Sequence, residues 1–268
     1  FFNPKAGFIY KVKDENRLYL SYARAQKEPN RNDFENGVST SEKLDDYELG
    51  WRYYNKDFSI NSNLYYMNYS NQLVLTGEID DVGAPVRATS GSSYRLGIEL
   101  DLDIIINEKF SLRPNAALSS NKNRDFKSRI NGALINLGNT HISFSPNLIV
   151  GNIFIYQPSE KLQIGLLSKY VGEQYMSNLS SKVTEQDVLE GYFISDINFE
   201  YIIKPKRIFH SIIINGLVNN IFNNEYVDRG YYYTYNYSDN NGNIITGDGA
   251  GYYPQATTNF LIGLNLKF

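Results

Sequence analysis

The sequence predicts an all-β protein, a transmembrane antiparallel β-barrel of which about eleven strands lie in this chain. Three observations predict it: apolar and polar residues alternate, short turns alternate with long loops, and charges cluster on one strand face. The last ten residues show the alternation most clearly, with Phe260, Ile262, Leu264, Leu266 and Phe268 on one parity. A period of two is the repeat of a strand with one apolar and one polar face.

Ten of the eleven predicted strands form five pairs. Each pair is joined by a short segment rich in Asp, Asn, Pro, Lys and Glu, as hairpin turns are. The predicted pairs are Lys5–Val12 with Arg17–Ala25, Lys43–Tyr54 with Phe58–Tyr69, Tyr94–Ile106 with Phe110–Ser119, Ile142–Tyr156 with Leu162–Val171, and Tyr192–Ile203 with Ile208–Val218. The eleventh strand is Thr258–Phe268.

The connections between pairs are much longer than the turns within them. They comprise residues 26–42, 70–93, 120–141, 172–191 and 219–257, and they carry Asn, Ser, Gly, Asp and Tyr. Short turns at one end and long loops at the other are typical of outer-membrane barrels, with turns in the periplasm and loops outside the cell. Within Ile142–Tyr156, Ile149, Ile153 and Ile155 break the apolar parity, which indicates a β-bulge.

The two strand faces differ in charge. In the strand Tyr94–Ile106, Leu96, Ile98 and Leu100 alternate with Arg95, Glu99 and Asp101. A soluble barrel would turn its apolar face inward, but a face this charged requires water, so we expect apolar side chains toward lipid. Four charged residues are therefore predicted to face the lumen: Arg52, Arg95, Glu99 and Lys169. An aromatic girdle is predicted beside the short turns from Tyr10, Tyr53, Phe58, Phe110, Tyr156, Tyr201 and Phe268.

Composition excludes several classes of protein. Hydrophobic residues make up 42% and charged residues 21% of the 268 residues, which argues against disorder. No run approaches the roughly 18 apolar residues of a spanning helix. The chain has no cysteine, and its net charge of -3 gives no support to nucleic-acid binding. The sequence predicts no cofactor, no metal site and no catalytic constellation, since neither histidine has a plausible serine partner.

Several segments resemble one family in their order and spacing. Asn3–Tyr10 and Leu18–Ala25 resemble the mid-barrel region of TonB-dependent receptors. Lys43–Gly50, which reads K-L-D-D-Y-E-L-G, resembles the E-x-Y-E-L-G strand of that family. Leu217–Tyr226, which reads L-V-N-N-I-F-N-N-E-Y, resembles its V-x-N-L-F-(D/N)-x-x-Y element, and Tyr253–Ala256 leads into a segment similar to its closing strand.

The resemblance implies a barrel of about 22 strands with a plugged lumen, of which this chain is the carboxyl-terminal half. The plug domain, the first half of the barrel and the peptide that engages TonB are then expected upstream of Phe1. The implied function is active import across the bacterial outer membrane, with a ferric siderophore as first substrate and haem, cobalamin or a glycan behind it. The implied partners are outer-membrane lipid, TonB and an extracellular small-molecule or metal-chelate ligand, with a surface lipoprotein as a further candidate.

Two other functions stay open at this point. A passive porin or a purely structural barrel would share the strand pattern and would lack a plug. An outer-membrane lipase or protease would need the serine and histidine pairing that the sequence does not suggest, so the sequence predicts no enzyme.

Candidate ligand-binding residues lie in the long loops. Tyrosine combines a flat apolar face with a hydroxyl, which suits a stacked ligand, an aromatic belt or packing between loops. The tyrosines of one loop are Tyr231, Tyr232, Tyr233, Tyr235 and Tyr237, and Asn241-Gly242 after them predicts a type I′ turn. Arg31, Arg87 and Arg229 are candidates for an anionic ligand. His141 is either a ligand or haem-iron contact or a polar residue at a strand end.

Overall fold

The computed structural model describes residues 1–79, 85–89, 91–179, 184–205 and 208–268. Long strands alternate with short loop elements throughout the chain. In order these are β1 Lys5–Lys13, β2 Asn16–Lys27, α1 Arg31–Glu35, β3 Glu42–Tyr54, β4 Phe58–Ser70, β5 Leu73–Ile79, β6 Pro85–Thr89, β7 Ser92–Asn107, β8 Phe110–Arg124, β9 Lys127–Ile130, β10 Ala133–Asn136, β11 Thr140–His141, β12 Leu148–Ser159, β13 Leu162–Val171, β14 Gln174–Tyr175, β15 Val188–Leu189, β16 Tyr192–Ile203, β17 Ser211–Asn219, β18 Val227–Ser238, β19 Ile244–Pro254 and β20 Asn259–Lys267.

One twelve-stranded antiparallel sheet contains all eleven of the strands that the sequence predicts. Its order is β1-β2-β3-β4-β7-β8-β12-β13-β16-β17-β20, with the short β11 paired to β8. Each long strand therefore pairs with the next long strand in the chain. Within the described residues β1 and β20 each pair on one side only, so the sheet is open. No helix in that part of the chain is long and apolar enough to cross a membrane.

The apolar face is continuous across the sheet because the strand registers align it. Direct cross-strand partners carry one apolar row through seven adjacent strands, formed by Phe8, Leu20, Leu49, Leu64, Ile98, Leu118 and Leu148. Leu148 is half-buried, and the other six side chains are exposed, as in Phe8 at 65% and Leu118 at 57%, so the described part of the chain leaves most of this face uncovered. We call it the apolar face of the sheet.

The opposite, polar face is aligned in the same way. One of its rows of direct partners runs through Lys11, Arg17, Arg52, Asn61, Asp101, Asn115, Gly151 and Lys169. Arg52 and Lys169 thus lie in a single row, and Arg95 and Glu99 lie on the same face of β7. The register confirms the division into an apolar and a charged face that the sequence predicts for β7.

Aromatic side chains meet on the apolar face at the end of the sheet where the short turns lie. The Tyr53 and Phe58 ring centroids are 6.2 Å apart, and the Phe110 and Tyr156 rings stack at 4.6 Å. Phe209 and Phe268 add a third pair at 4.9 Å. The Tyr53–Phe58 contact spans the turn between β3 and β4, whereas the Phe110–Tyr156 contact joins two neighbouring strands that no short turn connects. We refer to the two ends of the sheet as the short-turn end and the long-loop end.

Two strand predictions need correction. Ile142–Tyr156 does not form one strand, because β12 begins at Leu148 and Phe144 has a φ of 51°. The predicted β-bulge is also absent from the stretch that breaks parity. β12 pairs without interruption with β8 from Leu148 to Tyr156, and its register shifts only beyond Tyr156. Ile149, Ile153 and Ile155 simply lie on the polar face, opposite residues such as Ala117 and Leu167.

The long connections are more ordered than the sequence indicates. Four of them contain two-stranded sheets, namely β5 with β6, β9 with β10, β14 with β15, and β18 with β19. The first connection holds the helix α1, which Asn30 caps by accepting from the Asp33 amide. β8 extends to Arg124 rather than ending at Ser119. The turn predicted at residues 204–207 falls partly outside the described residues, since 206 and 207 are not among them.

Candidate ligand site at the long-loop end

The longest ordered loop element is the hairpin of β18 and β19. Its strands pair from Val227 with Pro254 to Ser238 with Ile244, and five residues close it. The predicted type I′ turn at Asn241-Gly242 is wrong, because Gly242 has a φ of 79° but Asn241 has no positive φ. The Asp239 carboxylate instead accepts from the amides of Asn241 and Asn243, both at 2.8 Å. These hydrogen bonds from backbone amides to the aspartate side chain stabilise a five-residue turn in place of the two-residue type I′ turn.

The two faces of this hairpin hold the five predicted tyrosines in different surroundings. Tyr231, Tyr233, Tyr235 and Tyr237 form a row on one face, and their side chains are between 37% and 51% exposed. Tyr232 lies on the other face, where its hydroxyl donates to Asp248 Oδ2 at 3.0 Å. Thr184 donates to the same oxygen at 2.6 Å. Burial raises the pKa of the Tyr232 hydroxyl above its ordinary value.

Tyr232 also belongs to a small hydrophobic core made only of loop residues. Val74, Phe126 and Leu179 are each more than nine-tenths buried, and Leu137 and Tyr232 pack against them. These residues come from four different long connections. We call this group the loop core.

Polar contacts join the same loops. The Asn131 amide donates to Thr246 Oγ1 at 2.8 Å, and the Thr246 amide donates to Asn131 Oδ1 at 2.9 Å. The Tyr252 hydroxyl donates to the Gln186 carbonyl at 2.5 Å. The described loop residues at this end therefore form one connected layer.

The arginines predicted to meet an anionic ligand are each paired with a carboxylate of the chain. Arg87 donates from Nε and from Nη2 to the two oxygens of the buried Asp33, at 2.9 and 2.8 Å. Arg31 lies 2.8 Å from Glu35 on the surface of α1, and Arg229 lies 3.2 Å from Asp228. The Arg87 guanidinium therefore stabilises the loops through its contact with Asp33, whereas the side chains of Arg31 and Arg229 remain largely exposed.

His141 lies in a cavity at the end of β8. Its ring stacks on Tyr175 with centroids 4.0 Å apart, and Lys122 Nζ lies 3.2 Å from Nδ1. Burial and the nearby ammonium group lower the pKa of the imidazole, which favours its neutral form. The cavity has a volume of about 280 Å³ and is lined by Ser145, Glu173 and Tyr175 among others. A neutral imidazole is the form that binds metals.

The four residues predicted to face the lumen lie on the polar face, with different partners. Arg52 donates from Nε to Asn61 at 3.1 Å and covers the ring of Tyr19. Arg95 donates from Nη1 to Ser145 Oγ at 2.9 Å, next to the cavity of His141. Glu99 and Lys169 are exposed on this face.

Several site features escaped sequence reasoning. Asp187 is 2% exposed and accepts from the Ser177 hydroxyl, and its burial raises the pKa of its carboxyl group. A cavity of about 670 Å³ lies at the base of the hairpin, between Tyr192, Tyr226 and Tyr252. The sequence does contain one signal for the hairpin strand β19, because Gly247, Gly249 and Gly251 recur at every second position. Among the described residues, no group of three or more His, Cys, Asp or Glu is placed to hold a metal ion.

Comparison with known proteins assigns the family. Residues 1–221 match the model of the TonB dependent receptor-like β-barrel. The chain belongs to the TonB-dependent receptor β-barrel family. The resemblance inferred from the sequence motifs is thereby confirmed, and the family comprises transporters and receptors rather than enzymes. A search of curated proteins gave no match.

Solved structures of TonB-dependent receptors share the fold of this chain. The ferric-catecholate import receptor Fiu from E. coli K12, in its closed form, is 17% identical with a TM-score of 0.67, over 98% of this chain and 34% of that one. The ferric enterobactin receptor mutant R480A from Pseudomonas aeruginosa, in complex with enterobactin, is 17% identical with a TM-score of 0.67. The match covers 98% of this chain and 40% of that one. The copper transporter OprC is 13% identical with a TM-score of 0.68, and the match covers 98% of this chain and 38% of that one. The chain thus spans between a third and two fifths of these proteins, and its open sheet is part of a barrel.

Proposed function

We propose that this chain forms part of a TonB-driven transporter that imports a scarce nutrient across the bacterial outer membrane. The observation that carries the proposal is the uncovered apolar face, which runs in register through seven strands while the charged side chains line the other face. In water such a face would be an aggregation surface, whereas in a bilayer it is the required exterior. The long-loop end then lies outside the cell and the short-turn end in the periplasm.

A ferric siderophore is the first substrate we propose, with haem, cobalamin or a glycan behind it. The printed names of two structural relatives concern ferric catecholates and enterobactin, and that of a third concerns copper, which adds copper as a candidate. The ligand contacts that we propose are the exposed tyrosine row, Arg31, Arg229 and the cavity of His141. Tyr232 and Arg87 serve the site indirectly, because both are committed to contacts that hold the loops together.

The partners follow from the same proposal. Outer-membrane lipid surrounds the apolar face, and TonB engages a region of the full-length protein outside this chain. We place the plug domain and the first half of the barrel in that region as well. A surface lipoprotein above the long loops is a further candidate partner.

Uptake by the full-length protein in its own host tests the function. We expect deletion of the gene to abolish accumulation of ⁵⁵Fe from at least one ferric siderophore, or of haem, labelled cobalamin, a labelled glycan or copper, and a plasmid copy to restore it. The restored uptake should disappear in a strain without TonB. Uptake that persists without TonB, and that follows the outside concentration without accumulation, would identify a passive porin instead.

The tyrosines offer a second test of the site. Deleting Tyr231–Tyr237 is expected to weaken uptake, but it also removes most of β18 and the Tyr232 contact with the loop core. Replacing Tyr233 and Tyr235 together by alanine is the sharper change, because both side chains lie on the exposed face. We expect a higher half-saturation concentration with unchanged amounts of protein in the membrane. Undiminished affinity would remove the row from the site.

A further inference from the structure

The apolar face of the sheet changes in character toward the long-loop end. Direct partners on β2, β3, β4, β7 and β8 form successive rows on this face, and two residues of strand, about 7 Å, separate one row from the next. The first row consists of Leu20, Leu49, Leu64, Ile98 and Leu118, and the second of Tyr22, Tyr47, Tyr66, Leu96 and Ser120. Tyrosine is common where the surface of a barrel passes from acyl chains to headgroups.

The next two rows toward the loops are polar, and most of their charges are positive. The third row consists of Arg24, Asp45, Asn68, Tyr94 and Lys122, and the fourth of Gln26, Lys43, Ser70, Ser92 and Arg124. Together they contain four cationic side chains and a single carboxylate, that of Asp45. We call them the cationic rows.

The rows toward the short-turn end have no such charge. On the other side of the first row, one row consists of Leu18, Trp51, Ser62, Leu100 and Ala116, and the next of Asn16, Tyr53, Ile60 and Leu102. None of these residues is ionisable at neutral pH. Within these rows the cations of the apolar face therefore lie at the long-loop end.

The cations of these rows differ in how they are paired. The carboxylate of Asp45 accepts from Arg24 Nε at 2.8 Å and from Arg24 Nη2 at 3.0 Å. Among the described residues, by contrast, no ion pair involves Arg124 or Lys122. Lys122 contacts the His141 ring instead. The β8 end of the cationic rows therefore carries positive charge without a contacting carboxylate.

Neutral groups hold the Arg124 side chain. Its Nη2 donates to the Tyr66 hydroxyl at 2.8 Å, and its Nη1 donates to Asn68 Oδ1 at 3.2 Å. The guanidinium carbon lies 4.9 Å from the centroid of the Tyr94 ring. A guanidinium has five N–H donors, of which the described residues take two, so three remain for a ligand. A planar set of such donors suits the oxygens of a phosphate group.

We propose that Arg124 and Lys122 bind the phosphate group of a lipid in the outer leaflet of the membrane. The inference rests on the proposed function, which places the apolar face in lipid and the long-loop end outside the cell. The acyl chains of that lipid lie along the first row, and its headgroup lies at the cationic rows beyond the tyrosines. The positive charge there complements an anionic headgroup.

Other anions fit this position less well. A transported anion would pass along the polar face, whereas both cations lie on the opposite face of β8. Inorganic phosphate would gain nothing from the apolar row next to the tyrosines. A lipid of the inner leaflet would meet the other end of this face, where the rows are uncharged. The order of the rows therefore favours a phosphorylated lipid of the outer leaflet.

Lipid binding to the full-length protein in a neutral detergent tests the site without any transport, so failure here would leave TonB-dependent uptake standing. Native mass spectrometry counts the bound molecules and gives their affinities. The probes are bisphosphorylated lipid A, the same lipid without its phosphates, and inorganic phosphate. We expect lipid A to bind about tenfold more tightly than the dephosphorylated lipid. Inorganic phosphate at the same concentration should not displace it.

The variant Arg124→Gln separates a lipid site from a structural role. It should lower the affinity for lipid A about tenfold and reduce the preference over the dephosphorylated lipid, because a loss of folded protein would weaken both lipids alike. Arg24→Gln is the matched control, since it alters the net charge of the same face equally but removes a guanidinium that Asp45 already occupies. We expect Arg24→Gln to retain most of the affinity. Equal binding of the two lipids, displacement by inorganic phosphate, or equal losses in the two variants would each overturn the proposal.

Discussion

The sheet exposes its apolar side chains, whereas the loop core buries them. In the sheet, Ile98 and Leu264 are 47% and 61% exposed, whereas in the loops Val74 and Leu179 are 6% and 3% exposed. The loops follow the rule for a protein in water, with apolar groups inside. The sheet reverses that rule, as the proposed lipid surroundings require. On this proposal the chain is adapted to lipid around the sheet and to water around the loops. The two surroundings meet where the long strands end.

The largest effect is expected from a charge on the apolar face. Leu264→Arg or Leu100→Arg should cost about 2–4 kcal/mol of folding free energy if the side chain faces lipid near the middle of the bilayer. Urea unfolding of the full-length protein in lipid vesicles measures the loss. Asn265→Arg is the matched control on the polar face of β20, where the expected cost is small. Equal stability of Leu264→Arg and Asn265→Arg would remove the distinction between the faces.

A smaller effect is expected from the ion pairs of the loops. Arg87→Ala leaves the Asp33 carboxylate, which is 3% exposed, without its bidentate partner and should cost about 1–3 kcal/mol locally. Arg31→Ala breaks an exposed pair in the same region and should cost less than about 0.5 kcal/mol. Hydrogen exchange of the α1 and β6 amides measures both. Similar losses in the two variants would show that burial of the pair is not decisive.

The smallest effect is expected from pH. Burial raises the pKa of Asp187, so the closed loop binds its proton more tightly than an open loop does. Opening should therefore become harder as the pH falls from 7 through the raised pKa toward 4, and this gain is lost again as the pH rises. Exchange of the Met176 amide, which donates to the Asp187 carbonyl at 2.6 Å, reports the opening after correction for intrinsic rates. Asp187→Asn should remove the dependence, and its persistence there would assign the effect to another group.

The sheet could be predicted because its signal is local. Alternation along each strand predicts Leu162–Val171 and Tyr192–Ile203 with the bounds that the structure has. Charges on one parity predict the polar face, including Arg52 and Lys169. The prediction failed at Ile142–Tyr156, because Ile142 and Phe144 continue the alternation of the strand although the strand begins only at Leu148.

The loops could not be predicted in the same way, because their contacts join residues far apart in the chain. Asn131 and Thr246 exchange two hydrogen bonds across 115 positions, and no pattern near either residue indicates the other. The tyrosines were identified by type, but their division into an exposed row and a buried Tyr232 depends on the pairing of β18 with β19. Arg87 was predicted to meet an anionic ligand, and its pairing with Asp33 was not foreseen because the two residues lie 54 positions apart.

The central claim is the orientation of the two faces, and collision accessibility of spin labels tests it most directly. This chain has no cysteine, so Ile98→Cys and Glu99→Cys place labels on adjacent residues of opposite faces. In the full-length protein in lipid vesicles, the label at position 98 should collide with oxygen and be shielded from a water-soluble nickel chelate. The label at position 99 should show the lower ratio of oxygen to nickel collisions. A label at position 98 that meets the nickel chelate freely would contradict the account.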